Sequence, residues 1–119
     1  NPEEVRALTF CSGRFYYDLL AEREKLGRKD VALVRIEQLF PLPIEELKLI
    51  IARYPNVTDY VWAQEEPKNM GAYGYMLMNF DIVKWRLAAA NAYSAPAPGS
   101  PMRHKARHQE AIDKVFLAI

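Results

Sequence analysis

Apolar residues follow two rhythms along this chain, and the two alternate. Residues 5–11, Val-Arg-Ala-Leu-Thr-Phe-Cys, read as a strand. Phe15, Leu19 and Leu26 then fall on one face of a helix, with Tyr16 and Leu20 beside them. Glu22, Arg23, Glu24 and Lys25 take its wet side. Ser12 is the expected cap, Gly13 eases the turn and Gly27 is a natural stop. Residues 30–36, Asp-Val-Ala-Leu-Val-Arg-Ile, are almost continuously apolar, which predicts a strand covered on both faces. Pro41 and Pro43 end it, and Pro43 suits the first turn of a helix. Glu45 and Glu46 sit well near the positive helix end. Leu47, Ile50, Ile51 and Tyr54 form its buried stripe, closed by Pro55-Asn56.

The same reading gives a third strand over 58–63 and a helix over 71–87 with Tyr73, Met76, Leu77 and Phe80 on one face. It gives a short fourth strand over 90–94 and a proline-rich connection from Ser94 to Pro101. A last helix turns Ile112, Val115, Phe116 and Ile119 inward. Alternating strands and helices predict an α/β fold: a three-layer α/β/α domain with a mostly parallel sheet of four to five strands.

Two strand exits are polar. The run Val34-Arg35-Ile36-Glu37-Gln38-Leu39-Phe40-Pro41-Leu42-Pro43 leaves the second strand, and Gln64-Glu65-Glu66-Pro67-Lys68-Asn69-Met70-Gly71-Ala72 leaves the third. Buried parallel strands deliver polar groups to the rim of a sheet in this way. Arg35, Glu37, Gln38, Gln64, Glu65, Glu66 and Asn69 are therefore the candidate interface residues. They are expected at neighbouring strand ends, clustered on one edge, partly exposed and poorly paired. Charged side chains are seldom buried without partners.

Composition narrows the function. The chain has 119 residues, 50% hydrophobic and 12% aromatic, enough for one domain with one core. Sixteen basic and fifteen acidic residues give a net charge of +1, unlike the basic footprint of a nucleic-acid binder. No apolar run approaches the roughly 18–20 residues of a membrane span. Cys11 is the only cysteine, which rules out an intrachain disulfide and favours a reducing compartment. The opening Asn1-Pro2-Glu3-Glu4 lacks a methionine and a leader, and residues 1–119 read as a single domain cut from a longer polypeptide.

Candidate chemistry is sparse. Cys11-Ser12-Gly13-Arg14 lies at a strand-to-helix turn that could bind an anion or lower a thiol pKa, but it lacks the three-glycine dinucleotide fingerprint. A structural turn with a partly buried thiol is the expectation. Glu65 and Glu66 are adjacent on an extended segment and point to opposite sides, which is wrong for a shared acid–base site. One is expected to pair locally and the other to face an interface. His104 and His108 are four apart, a metal-binding spacing. The flanking Arg103, Lys105 and Arg107 oppose a cation and favour an acidic partner or a solvated basic turn. Tyr16, Tyr17, Tyr73 and Tyr75 read as core or interface packing. No catalytic, cofactor-binding or metal-ligating residue is expected within the chain.

These segments resemble the C-terminal domain of the E1 component of 2-oxoglutarate dehydrogenases. The resemblance runs through Val5-Arg6, Cys11-Ser12-Gly13-Arg14 with Tyr16-Tyr17-Asp18-Leu19, the Val34 to Pro43 exit, and Gln64-Glu65-Glu66-Pro67 with Asn69 and Gly71-Ala72. Pro96-Ala97, Gly99 and His104 follow it more loosely. The family's Gly-Arg pair before its last connection has no counterpart, since Ala88-Ala89-Ala90-Asn91-Ala92-Tyr93 contains no arginine.

The resemblance implies a transketolase C-terminal-like fold and a full-length enzyme using thiamine diphosphate and magnesium, both held by upstream domains. That enzyme decarboxylates 2-oxoglutarate and passes the succinyl group to the lipoyl arm of the E2 dihydrolipoyl succinyltransferase in the tricarboxylic acid cycle. It implies partners in the upstream domains of the same E1 chain and in an E1 homodimer, and a nucleotide (AMP) or acetyl-CoA effector of the kind some relatives bind. Localisation would be cytoplasmic in a bacterium or in the mitochondrial matrix of a eukaryote. The rival readings are the same domain from a related 2-oxo acid dehydrogenase and a free-standing flavodoxin-like binding module.

Overall fold

A computed structural model describes residues 1–39, 41–67, 70–90 and 101–117, with the backbone alone for 101–106 and 117. After a 3₁₀ turn at Pro2–Glu4 come β1 (Ala7–Ser12), α1 (Phe15–Leu26), β2 (Val31–Ile36), α2 (Ile44–Arg53), β3 (Asp59–Ala63), α3 (Tyr73–Asn79), β4 (Trp85–Ala88) and α4 (Pro101–Leu117). The strands form one parallel sheet in the order β2-β1-β3-β4. Ala7 pairs with Val31 on one side and Asp59 on the other, so β1 is central.

Strand alternation divides the core into two. Ala7, Cys11, Val31, Val61, Ala63 and Ala88 face α1 and α4, where Phe15, Leu19, Ala111, Ile112, Val115 and Phe116 meet them. Leu8, Phe10, Ala32, Ile36, Trp62 and Trp85 face α2 and α3, where Leu47, Met76 and Phe80 meet them. The first face is built largely from small side chains. The second is filled by aromatic rings, with Trp85 set edge-on to Phe10 at 5.2 Å and to Trp62 at 6.5 Å. The α/β/α layering and parallel sheet expected from the sequence are present, with four strands among the described residues.

Several local expectations fail. The helix expected over 71–87 stops at Asn79, and the last part of that range, Trp85–Ala88, is instead a strand. Ala90 is outside any strand, and residues 91–94 lie outside the described residues. The error has a physical source. Met76, Phe80 and Leu87 all join one core cluster at helix-like spacing, yet the indole of Trp85 donates to the Phe80 carbonyl at 2.8 Å. That bond satisfies a carbonyl at the helix end and turns the chain into β4. Leu77 and Leu26, expected inward, are exposed. Ser12 belongs to β1 and does not cap α1, whose N-cap position is Arg14 without a side-chain bond. Gly27 does stop α1, in the left-handed region at φ 64°. Ile119 and most of the connection from Ser94 lie outside the described residues.

The last helix is fastened by two arginines, each held by an aspartate. Arg28 forks onto Asp30 at 2.8 and 2.9 Å and donates to the Phe116 carbonyl at 2.6 Å. Arg86 forks onto Asp59 at 3.0 and 2.9 Å and donates to the Lys114 carbonyl at 2.7 Å. Both guanidinium groups sit at the negative end of α4, where helix carbonyls lack intrahelical partners. The Arg28 bond holds the Asp30 carboxyl below the usual carboxylate range. Replacing Arg86 with alanine should cost about 1.5–3 kcal/mol, the worth of hydrogen bonds to a charged group. Urea denaturation checks this, and an unchanged midpoint would show that the Arg86 bonds do not help to hold α4.

Candidate functional site

Parallel strands end together, so β1, β2 and β3 deliver Ser12, Ile36 and Ala63 to one edge of the sheet. From β1 the chain crosses to β2 on one side, while β3 lies on the other. The gap between β1 and β3 is thus the point where strand order reverses, the usual binding crevice of such sheets. A cavity of about 360 Å³ opens there, with Ser12, Glu65, Glu66 and Tyr75 around apolar Phe15 and Leu39.

Gln64 builds the rim of this cavity. Its Oε1 accepts from the Trp62 indole at 2.9 Å and from the Tyr73 amide at 3.2 Å. Its Nε2 donates to the carbonyls of Glu66, Pro67 and Met70 at 3.1, 3.0 and 2.8 Å. The loop after β3 is folded around one buried amide. Gln64 is 4% exposed, which corrects the expectation of a partly exposed, poorly paired interface residue. A polar side chain this dry must satisfy both ends, and it does. Gly71 is required opposite it. Its φ is +72°, and a Cβ there would lie 2.9 Å from Gln64 Oε1.

The remaining candidates form two groups. Glu65 and Glu66 are exposed beside the cavity, and Asn69 lies outside the described residues. Arg35, Glu37 and Gln38 are exposed along a separate groove of about 530 Å³, shared with Pro41, Leu42 and Pro43. The two exits share an edge but are not neighbours as expected, because β1 runs between β2 and β3. Tyr75, which donates to the Leu39 carbonyl at 2.8 Å, links them. Arg35 lies over the Tyr17 ring at 5.3 Å and donates to its hydroxyl at 3.1 Å.

Glu65 pairs locally, as one of the two glutamates was expected to. It meets His108 Nδ1 at 3.3 Å, and Asp18 meets His108 Nε2 at 3.1 Å. The basic run around His108 had suggested an acidic partner, and the carboxylates come from this chain. Sequence spacing carried no sign of it, because α1, the β3 exit and α4 supply one residue each. The side chain of His104 lies outside the described residues.

Cys11 differs from both readings of its turn. It lies within β1, fully buried, and burial pushes its thiol up to about 12, with nearby Arg35 opposing only in part. A thiol so placed is not an activated nucleophile.

A diphosphate–magnesium group does not fit the rim. Among the described residues that line it there is no lysine or arginine to meet the phosphates, and the amide of Gln64 is spent on the protein.

Residues 1–116 match the family described as 2-oxoglutarate dehydrogenase C-terminal. The chain belongs to this family. Among relatives of the 2-oxoglutarate dehydrogenase C-terminal family, the chain is 41% identical over 118 residues to the 2-oxoglutarate dehydrogenase E1 component of Haemophilus influenzae. That alignment covers 95% of this chain and 13% of the relative. It is 40% identical over 124 residues to the E1 component of Azotobacter vinelandii, covering 98% and 13%. It is 37% identical over 121 residues to the 2-oxoadipate dehydrogenase complex component E1 of Mus musculus, also covering 98% and 13%. The chain thus spans about one-eighth of the length of these relatives.

Two measurements check the site. Gly71→Ala should destabilise by more than the about 1–2 kcal/mol that the left-handed backbone alone costs, because its Cβ also strikes Gln64. Gly27→Ala, with a similar φ and open space around it, is the control. Equal urea midpoints for the two variants would show that the Gln64 contact carries no energy. Cys11 should resist a thiol reagent in the folded chain at pH 9, near the ordinary thiol value, and react once urea unfolds it. Because the folded pKa is raised, its contribution to stability is full below the unfolded value and falls as pH climbs toward 12. Free-thiol reactivity in the folded chain at pH 9 would contradict the buried placement.

Proposed function

We propose that this chain is the non-catalytic C-terminal domain of a thiamine diphosphate-dependent 2-oxoglutarate dehydrogenase E1 subunit. In the whole enzyme the upstream domains hold thiamine diphosphate and magnesium, decarboxylate 2-oxoglutarate and pass the succinyl group to the lipoyl arm of E2. This domain completes the subunit and supports the E1 homodimer. The observation that carries the reading is the family match over residues 1–116. The charged rim supports its interface part: Arg35, Glu37, Gln38, Glu65 and Glu66 stand exposed at one edge of an otherwise buried sheet. Such an edge suits the upstream domains, the second subunit or an effector of the AMP or acetyl-CoA kind.

The choice of 2-oxoglutarate rests on the family description. Over this domain the identities to 2-oxoglutarate E1 components (41% and 40%) and to 2-oxoadipate ones (36% to 39%) lie close together. Comparing kcat/KM of the parent enzyme for the two acids tests that choice, and a preference for 2-oxoadipate reverses it. The relatives' names also favour an E1 domain over a free-standing flavodoxin-like module.

Two outcomes are expected. The 119-residue chain alone should show no saturable binding of thiamine diphosphate with magnesium by titration calorimetry. In the parent enzyme, Arg35→Glu should weaken the dimer in sedimentation velocity, because a reversed charge would stand unpaired where a subunit covers the rim, and an uncompensated buried charge costs roughly 3–5 kcal/mol. Normal assembly and normal effector response in that variant would remove the interface role.

A further inference from the structure

Three side chains from three elements converge where α4 crosses the mouth of the rim. Asp18 comes from α1, Glu65 from the exit of β3 and His108 from α4. We propose that they form a binding site for a divalent transition-metal ion of the zinc class.

The first ground is spacing. One ligand atom from each residue lies within 4.8 Å of the others. Bonds of about 2.0–2.2 Å to nitrogen and oxygen set the ligand atoms of a tetrahedral ion about 3.4 Å apart. His108 already approaches Asp18 at 3.1 Å and Glu65 at 3.3 Å, through its two different nitrogens. Gathering both carboxylates onto one nitrogen needs only side-chain rotation. Their side chains, 49% and 48% exposed, are free to swing. The imidazole is less free. Its side chain is 25% exposed, and its ring packs edge-on against Phe15 at 5.3 Å. A ligand oriented by the core and two adaptable carboxylates make a workable three-residue site, with the remaining position left to water.

Donor chemistry is the second ground. Magnesium and calcium take oxygen ligands, and magnesium keeps much of its water. An imidazole beside two carboxylates suits zinc and its neighbours. The basic residues around His108 argue against a cation when α4 is read alone. The fold brings two negative charges to the imidazole from elsewhere and reverses the local sign. A bound ion would tie α1, the β3 loop and α4 together at one point.

Titration of the 119-residue chain, which carries a core on both faces of its sheet, with zinc chloride tests this. Calorimetry should show one ion bound per chain, not displaced by a large excess of magnesium, and the melting temperature should rise with zinc. Asp18→Asn and Glu65→Gln keep shape and remove ligand charge, and each should weaken binding by about tenfold or more. His108→Ala should abolish it, with circular dichroism confirming that the chain still folds. If that variant unfolds, the two carboxylate variants decide. His104→Ala should leave binding unchanged. Absence of saturable binding overturns the proposal. Affinity that survives both carboxylate changes, as for an ion on a lone surface imidazole, also overturns it. So does loss of binding in His104→Ala with the carboxylate variants unaffected, which would point to the histidine pair on α4.

Discussion

Burial of β1 from Ala7 to Cys11 is the constraint from which the rest follows. Ala7, Leu8, Thr9, Phe10 and Cys11 are all removed from solvent. Their backbone groups must therefore find protein partners, and the ladders to β2 and β3 supply them on both sides. The pairing is parallel, so each connection must cross the sheet, and helices cover both faces. Polar function is thereby pushed to the strand ends. The cavity, the buried amide of Gln64 and the exposed charges of the two polar exits all lie at the C-terminal ends of the strands.

Much of this was legible from the chain. Unbroken apolar runs such as Val31 to Val34 announced covered strands, and the proline and amide residues after them announced the rim. Where the reading failed, a contact distant in sequence had decided the matter. Leu87 keeps helical spacing with Phe80 and Met76, but pairing of Trp62 with Leu87 across β3 and β4 makes the segment a strand. Gln64 looks like another rim residue because nothing in Gln-Glu-Glu-Pro says that Trp62 and Tyr73 will claim its oxygen. His108 and Asp18 are ninety positions apart, and only the packing of α4 over α1 joins them.

The two faces of the sheet are secured differently. Against α2 and α3 the core is aromatic and broad. Against α4 the strands offer mainly alanine and valine, and the helix gains its remaining attachment from Arg28, Arg86 and Lys114 reaching carbonyls across the boundary. Paired arginines on backbone acceptors set the position of the helix along its axis more sharply than apolar contact would. That position in turn carries His108 to the mouth of the rim.

The asymmetry has a spectroscopic consequence. The sequence contains two tryptophans, Trp62 and Trp85, and both belong to the core on the α2 and α3 side. Intrinsic fluorescence therefore watches one half of the molecule. Were α4 to lift from its small-residue face, both indoles would keep their aromatic neighbours and emit unchanged. Emission and far-ultraviolet dichroism would then part company, and their divergence would mark the departure of a single helix from a sheet that stays whole.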